Sequence, residues 1–324
     1  MLLDTNSYNN HRQPLIKKIQ ELLGGAKLIV YTASPYHPVS GIMLTDIPTF
    51  EDLLRSVREA EEGVLMINSP GGDPNTAEKI LQMCRKRFPN SFKVIVPDYA
   101  KSAATMIALG SDEILMGYLS ELGPIDPQFR TGPIGPGVPA RSLIDGLELI
   151  REKVQGGDPI QLYYPMLSQI RPEQIAQAQS AIDGSKEFAE KWLKTYQLKN
   201  DPKQAKNVSK WLSEGKKYKS HGKVIDINEC KNILKLNIRE IDKNSELWDN
   251  IWELYCRSIF FMQQRQSQGA AKLFENEKVS MILNMLIQLI PGRGPLPQRP
   301  PPSTNIPVTP QQPTSPKEST SPRK

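Results

Sequence analysis

Short apolar runs rich in branched residues alternate with amphipathic stretches between residues 27 and 116, and this alternation constrains the fold most strongly. The predicted strands are 27–32, 64–68, 93–97 and 113–116, and the predicted helices between them are 48–61, 76–88 and 102–110. Strands that alternate with helices form right-handed βαβ crossovers, which build a mainly parallel sheet. We therefore predict an α/β fold.

The rest of the chain is predicted to be largely helical before its composition changes. Further helices are expected at 14–23, 141–155, 172–197, 245–267 and 271–291. Residues 123–137 are dense in proline and glycine, which is typical of an ordered surface loop. From about Pro291 the chain is rich in proline, serine and threonine with almost no apolar bulk, so we expect it to be disordered.

The composition argues against several classes of function. The net charge is +6, but lysine and arginine are interspersed with acidic residues along predicted helices, and no nucleic-acid-binding signature accompanies them. We therefore expect no nucleic-acid partner. Cys84, Cys230 and Cys256 form no CxxC pair, which argues against a disulfide framework or a metal site and fits a reducing cytoplasm.

Apolar segments of the chain are short. The N-terminus lacks the long apolar core of a secretory signal, and no apolar run reaches the length of a membrane-spanning helix, so we expect neither. The longest run, 279–290, is predicted to be a helix that is apolar on every side and must be buried. We expect a homo-oligomer in which it contacts another subunit; burial under the preceding helix is the alternative.

The stretch Asn68–Asp73, NSPGGD, follows a predicted strand directly and precedes a helix. Gly71 and Gly72 can adopt backbone conformations that are closed to other residues, and they allow a substrate to approach closely. Their N–H groups can then point at a developing oxyanion, as acyl-transfer chemistry requires. Alone, the pair also fits a simple turn between strand and helix.

The stretch Tyr99–Thr105, YAKSAAT, follows the next strand and opens the next helix. It puts Ser102 at a helix N-terminus, where free N–H groups and the helix dipole favour a nascent negative charge. Serine is also a preferred N-cap residue, so this position alone does not indicate catalysis. Two such elements on consecutive turns of one sheet favour Ser102 as a nucleophile.

These motifs, followed after another strand by ELGPIDPQ at 121–128, resemble the peptidase branch of the ClpP/crotonase-like fold. They are most similar to the serine dehydrogenase proteinase family of Clp-fold serine proteinases, which is related to signal peptide peptidase A. The resemblance implies that Ser102 is the nucleophile. It also implies that Gly71, Gly72 and the N–H of Ala103 form the oxyanion hole.

On this resemblance we divide the chain into four parts. They are an N-terminal helix and arm at 1–26, a Clp-fold serine peptidase domain at 27–235, a helical C-terminal extension at 236–291 and a disordered tail at 292–324. No GxGxxG follows a strand and no lysine motif of a pyridoxal enzyme is present, so we expect no cofactor and no oxidoreductase activity despite the family's name.

The general base is not fixed by the motifs. A serine hydroxyl needs a neighbour that takes its proton. The ClpP-like enzymes use a histidine one strand and one loop after the serine, where this chain has Asp126. Signal peptide peptidase A uses a lysine, and none lies between Ser102 and Lys153.

Four residues remain candidates for this base. His221 lies in a Ser-His-Gly loop of a kind that recurs in the family, and His37 follows the first strand at the same edge of the sheet. Lys101 adjoins Ser102, and Asp126 could orient a histidine or assist the serine directly. Our working hypothesis is a triad of Ser102, His221 and Asp126, because the chain order of such groups is not fixed.

The leading functional prediction is a cytoplasmic serine endopeptidase that acts on an extended peptide or an unfolded protein, bound as an added strand. An inactive Clp-fold scaffold is the alternative, since Asp126 stands where a ClpP-like enzyme has its histidine. A crotonase-type acyl-CoA enzyme would share the fold, but it needs no nucleophilic serine.

Overall fold

The computed structural model describes residues 12–57, 60–130 and 137–285. The helices are α1 Arg12–Leu22, α2 Asp46–Arg55, α3 Pro74–Arg87, α4 Ala103–Leu109, α5 Ala140–Gln155, α6 Tyr164–Leu167, α7 Pro172–Thr195, α8 Pro202–Ser213 and α9 Glu246–Gln264. The strands are β1 Lys27–Ala33, β2 Glu62–Asn68, β3 Ser91–Val96, β4 Tyr99–Ala100, β5 Glu113–Met116, β6 Glu121–Leu122, β7 Gln128–Arg130, β8 Gly137–Pro139, β9 Ile238–Glu240, β10 Ala270–Glu275 and β11 Ser280–Asn284.

The central sheet has the strand order β11-β10-β1-β2-β3-β5-β9. Neighbours from β1 to β9 in this order run parallel, whereas β10 pairs antiparallel with both β1 and β11. This arrangement confirms the predicted α/β class with a mainly parallel sheet built from βαβ units. The carboxyl ends of β2 and β3 therefore lie side by side, as the two motifs that follow them require.

Both faces of the sheet are covered. In β1, Ile29 and Tyr31 pack into a core with α2, α3, α4, α7 and α8. The alternate residues Leu28 and Val30 pack into a second core with α1 and α9. Because β1 and β2 are buried on both faces, each appears in the sequence as a continuous apolar run rather than an alternating one.

The prediction of a helix at 271–291 is wrong over residues 271–285, the part of this range that the structure describes. Residues 270–284 form a hairpin of two strands, β10 and β11, and β10 pairs with β1 in the register Thr32 to Leu273. Every residue of β10 is buried, so the segment lacks the two-residue alternation that distinguishes a half-exposed strand from a helix. The segment after residue 235, expected to be a helical extension, thus supplies α9 and three strands of the central sheet.

The loop predicted at the surface between 123 and 137 is buried over its first part. Gly123, Pro124, Ile125 and Asp126 are all buried, and only the residues after them become accessible. Residues 131–136 lie outside the described residues, as do residues 1–11 of the predicted arm and the tail predicted at 292–324. No helix in the described ranges is long and apolar enough to span a membrane.

Candidate active site

The two glycine- and serine-containing motifs are joined through their backbones. After β2, the N–H of Ser69 donates to the carbonyl of Tyr99 at 3.1 Å, and the N–H of Lys101 donates to the carbonyl of Ser69 at 3.0 Å. The loop after β2 is therefore held directly against the segment that carries Ser102. As predicted, the two turns lie next to each other.

Gly71 touches the candidate nucleophile. Its φ is +96°, and a Cβ built there would lie 2.6 Å from the Cβ of Ser102 and 2.6 Å from the carbonyl oxygen of Lys101. Its N–H donates to the Ser69 hydroxyl at 3.2 Å. Gly71 therefore provides the space for Ser102, and its N–H is already engaged.

Of the two glycines, Gly72 is the one whose N–H is available to an oxyanion. The N–H of Ile42 donates to the Gly71 carbonyl at 2.7 Å, and the N–H of Asp73 donates to the Ile42 carbonyl at 2.8 Å. Since Ile42 bonds to the residues on either side, Gly72 directs its own N–H away from it. A Cβ on Gly72 would lie 2.2 Å from the Ile42 carbonyl oxygen, so this loop tolerates only glycine there.

Ser102 has a strained backbone. Its φ is +50° and its ψ −119°, and among the described non-glycine residues only Lys235 shares a positive φ. Such conformations cost about 1–3 kcal/mol and cluster at functional sites. The Ser102 side chain makes no capping hydrogen bond to α4. The hydroxyl is therefore not used as a helix cap, the alternative that its position had left open.

His221 and Asp126 form a hydrogen-bonded pair. His221 Nδ1 lies 2.7 Å from Asp126 Oδ1, and Gln128 Nε2 donates to the other carboxylate oxygen at 2.6 Å. The Asp126 side chain is 3% exposed, whereas that of His221 is 29% exposed. A carboxylate at Nδ1 selects the tautomer with a proton on Nδ1, which leaves Nε2 as a proton acceptor.

One cavity joins these groups. Ser102, Ala103, Gly71, Gly72 and His221 all line a cavity of about 1310 Å³. Asp126 is not among its lining residues and lies behind His221. The described residues show no hydrogen bond from Ser102 Oγ to His221. Such contacts are often loose without substrate and tighten in the complex.

The same cavity wall also includes the apolar side chains of Met106, Ile125, Phe129 and Phe188. Tyr99 also lines it. Burial, aided by the nearby Asp98 carboxylate, raises the pKa of the Tyr99 phenol above its ordinary value, so the phenol stays protonated at neutral pH. The cavity can therefore accept an extended chain with apolar side chains beside a hydroxyl nucleophile.

The other candidate bases are engaged elsewhere. His37 lines the cavity, but its Nδ1 accepts the N–H of Val39 at 3.2 Å and its Nε2 donates to the Met285 carbonyl at 2.8 Å. Lys101 Nζ contacts a glutamate and two backbone carbonyls. Neither side chain has a free lone pair for the proton of Ser102.

No cluster of histidine, cysteine and acidic residues within the described ranges could hold a metal ion.

Two contributors to this site were missed in the sequence. Gln128 orients Asp126, and it belongs to the ELGPIDPQ stretch, so its place in that motif was an available signal. Ile42 holds the glycine loop through backbone atoms alone. A backbone contact leaves no trace in side-chain chemistry, so no sequence pattern could have indicated it.

Comparisons with known proteins give the following similarities. Residues 37–268 match the family model described as ClpP-like SDH-type serine proteinase. Uncharacterized protein MJ0137 of Methanocaldococcus jannaschii is 31% identical over 232 residues, which cover 67% of this chain and 71% of that protein. Uncharacterized protein MJ1495 of the same organism is 35% identical over 107 residues, 32% of this chain and 34% of that protein.

Similar solved structures are more distant. A mutant of the 1510-N membrane-bound stomatin-specific protease has a TM-score of 0.40 at 15% identity, and the match covers 69% of this chain and 85% of that one. An enoyl-CoA hydratase from Mycobacterium avium subsp. paratuberculosis has a TM-score of 0.26 at 14% identity, with 52% and 92% covered.

Proposed function

Because the chain belongs to the family of ClpP-like SDH-type serine proteinases, we propose that it is a serine endopeptidase whose nucleophile is Ser102. One observation carries the residue assignment. A serine with a strained backbone lines the same cavity as a histidine whose other ring nitrogen is bonded to a buried carboxylate. This is the set of groups that activates a hydroxyl for attack on a carbonyl.

In the first half of the proposed reaction, Ser102 Oγ attacks the carbonyl carbon of the peptide bond and His221 Nε2 takes its proton. Asp126 holds the imidazole in the required tautomer and stabilises the imidazolium that forms. The oxyanion is stabilised by the N–H groups of Gly72 and Ala103, with Gly71 leaving room for the serine. His221 then returns the proton to the leaving amine, which departs and leaves an acyl-serine.

In the second half, a water molecule attacks the acyl-serine. His221 takes one proton from the water, and the second tetrahedral intermediate uses the same two N–H groups. When that intermediate collapses, His221 returns the proton to Ser102 Oγ and the new carboxyl terminus is released. No cofactor is needed for either half.

We assign an extended segment of an unfolded polypeptide as the substrate. The loop at Gly72 presents backbone groups on the side away from Ile42, and an extended peptide can pair with such an edge as an added strand. The unpaired cysteines Cys84, Cys230 and Cys256 suit a reducing compartment, and we propose the cytoplasm as the place of the reaction.

The proposal is tested with purified protein and a fluorescently labelled, chemically unfolded polypeptide. The wild type should release labelled fragments, and Ser102→Ala should lower the rate at least about 10⁴-fold with an unchanged circular dichroism spectrum. Equal rates for both proteins would remove Ser102 from the reaction. No hydrolysis by a folded wild type would favour the inactive scaffold instead.

A further inference from the structure

The ammonium group of Lys101 has three acceptors, one for each of its protons. Its Nζ donates to the carbonyl of Leu122 at 3.0 Å and to the carbonyl of Lys223 at 3.2 Å, and it forms an ion pair with Glu121 Oε1 at 2.7 Å. These three acceptors match the three protons of an ammonium group. The reaction proposed above uses none of them.

The acceptors lie on the two segments that carry the candidate base and its carboxylate. Leu122 precedes Asp126 by four residues, and Lys223 follows His221 by two. The same two segments are also joined by a reciprocal pair of backbone bonds between Leu122 and Ile225, at 3.0 and 3.1 Å. Lys101 therefore connects the backbone beside the nucleophile to the two segments that carry Asp126 and His221.

The loop that carries His221 has few other anchors. Residues 219–224 are exposed except for His221 itself, and the turn is closed locally by the N–H of Lys223 on the Ser220 carbonyl at 3.0 Å. Tyr218 and Ile225, at the two ends, are buried. The described contacts thus fix the ends of the loop, Asp126 holds the His221 side chain, and Lys101 holds the backbone next to it.

The fold makes room for this contact. The Lys101 stem passes Gly123 so closely that a Cβ on Gly123 would lie 2.6 Å from the Lys101 Cδ. The Lys101 side chain is only 15% exposed. A solvated lysine would need neither the glycine nor the burial, so this position is built for the contact.

We propose that Lys101 is a positioning residue, which holds the His221 loop in register with Ser102 by donating to the Lys223 and Leu122 carbonyls. This rests on the proposed function, because the position of the His221 loop relative to Ser102 affects the reaction only if His221 takes the proton of Ser102. The competing role is electrostatic, a positive charge that favours the oxyanion. Glu121 neutralises that charge, and Nζ is directed at carbonyl groups of the two supporting segments.

The kinetic test uses Lys101→Met, which keeps the stem and removes Nζ. A displacement of about 1 Å at a catalytic group can cost about 10²-fold in rate, so we expect kcat to fall by about that factor with little change in KM. Glu121→Gln removes the charge partner and leaves both carbonyl bonds, and should cost less than about fivefold. Lys219→Met makes the same charge change at an exposed position of the same loop and should behave as the wild type.

A second readout does not depend on catalysis. The chain has three histidines, so the low-field Nδ1 proton of the His221–Asp126 pair can be assigned by NMR with a His221→Gln variant. In Lys101→Met this resonance should weaken or vanish. The Nε2 proton of His37, which is bonded to the Met285 carbonyl, should persist as an internal reference for an intact fold.

The outcomes separate the two proposals. An unchanged kcat in Lys101→Met overturns the positioning role, whatever the resonance does. A lowered kcat with an intact His221 resonance also overturns it and favours the charge. If the wild type hydrolyses nothing, the proposed function fails, and the resonance alone then decides whether Lys101 holds the loop.

Discussion

Gly71 packs directly against Ser102, and there is no room between them for a side chain on residue 71. A Cβ on Gly71 would lie 2.6 Å from the Cβ of the serine. We predict that Gly71→Ala displaces Ser102 and lowers kcat by about 10²-fold, the order of cost of moving a catalytic group by about 1 Å. Gly25→Ala is the matched control. Gly25 has a similar φ of +92° but no atom within 4 Å of the added Cβ, so it bears the backbone strain without the clash.

Steady-state kinetics and thermal unfolding of the two variants check this prediction. Both should lose some stability, because alanine disfavours a positive φ. Only Gly71→Ala should lose activity. A folded Gly71→Ala protein with the wild-type kcat would show that the contact with Ser102 does not matter to the reaction.

Asp126 determines which nitrogen of His221 bears the proton. In Asp126→Asn the amide can turn its NH₂ towards Nδ1, which stabilises the tautomer with the proton on Nε2 and removes the acceptor. We predict a fall in kcat of about 10⁴-fold, as in other triads. Gln128→Met removes only the contact to the second carboxylate oxygen, so its effect should be far smaller. Similar rates for Asp126→Asn and the wild type would remove Asp126 from the triad.

Among single residues, the local motifs were sufficient to predict that Ser102 and the glycine loop lie side by side, but they did not choose among the candidate bases. Ser102, Gly71 and Gly72 lie within short stretches that follow strands, so the position of each in the sheet could be predicted. Asp126 and His221 are separated by 95 positions, and only tertiary packing brings them together. His37 remained an alternative because its bond to Met285 is equally invisible in the sequence.

Among the secondary-structure elements, the hairpin of β10 and β11 contains an unexpected charge. Lys272 in β10 is fully buried, and its Nζ donates to Asp46 Oδ1 at the start of α2 at 2.6 Å. Burial raises the pKa of Asp46 and lowers the pKa of Lys272, in each case against the opposing effect of the partner. Both shifts favour the neutral forms.

The pH dependence follows from these directions. The contribution of Asp46 to stability is present below its unfolded pKa and is lost as the pH rises. That of Lys272 is present above its unfolded pKa and is lost as the pH falls. Between about pH 4 and 10 both groups are charged when unfolded, so the pair contributes little net stability there.

We therefore predict that Lys272→Met alone lowers the free energy of unfolding by about 3–5 kcal/mol at pH 7, because it leaves Asp46 buried and unpaired. Adding Asp46→Asn should recover most of that loss. The deficit of the single variant should also shrink as the pH falls, since Asp46 can then take up a proton. Urea unfolding checks this, and a double variant no more stable than Lys272→Met would contradict it.

The error at the hairpin shows what limits prediction at this level. Strands β1, β2, β3 and β5 are bounded by turns and helices, so their type could be predicted from pattern. Residues 270–275 are buried on both faces, and they are strands because the edge of β1 needs a partner. That need comes from the assembled sheet and is absent from the local sequence.

At the scale of the whole molecule, the segment 141–177 stands apart, because not one of its residues is buried. It includes α5, α6 and the start of α7. Its most exposed large apolar side chains are Leu149, Ile160, Leu162, Tyr164 and Met166, from 42% to 66% exposed. Exposed apolar groups in such number mark interaction surfaces.

We expect this segment to contact a second copy of the chain. Residues 141–176 carry four basic and five acidic side chains, a near balance that suits self-complementary pairing better than an anionic lipid surface. The earlier argument for an oligomer, an apolar helix at 279–290, fails because residues 280–284 are a strand.

Analytical ultracentrifugation at micromolar concentration tests the expected homo-oligomer. Leu162→Glu combined with Met166→Glu should yield a monomer. Leu44→Glu, at a position 68% exposed elsewhere on the surface, should leave the assembly unchanged. A monomeric wild type would contradict the prediction, and so would an assembly that tolerates both substitutions in the segment.

The central claim is that Ser102 is an activated nucleophile, and a fluorophosphonate tests it most directly because only an activated serine displaces the fluoride at a useful rate. In that reaction Ser102 Oγ forms the bond to phosphorus, fluoride leaves, and His221 takes the proton. Peptide mass spectrometry of the labelled wild type should show one adduct, on Ser102, absent from Ser102→Ala and formed far more slowly in His221→Ala. A folded wild type that stays unlabelled at Ser102, or is labelled at another serine instead, would contradict the account.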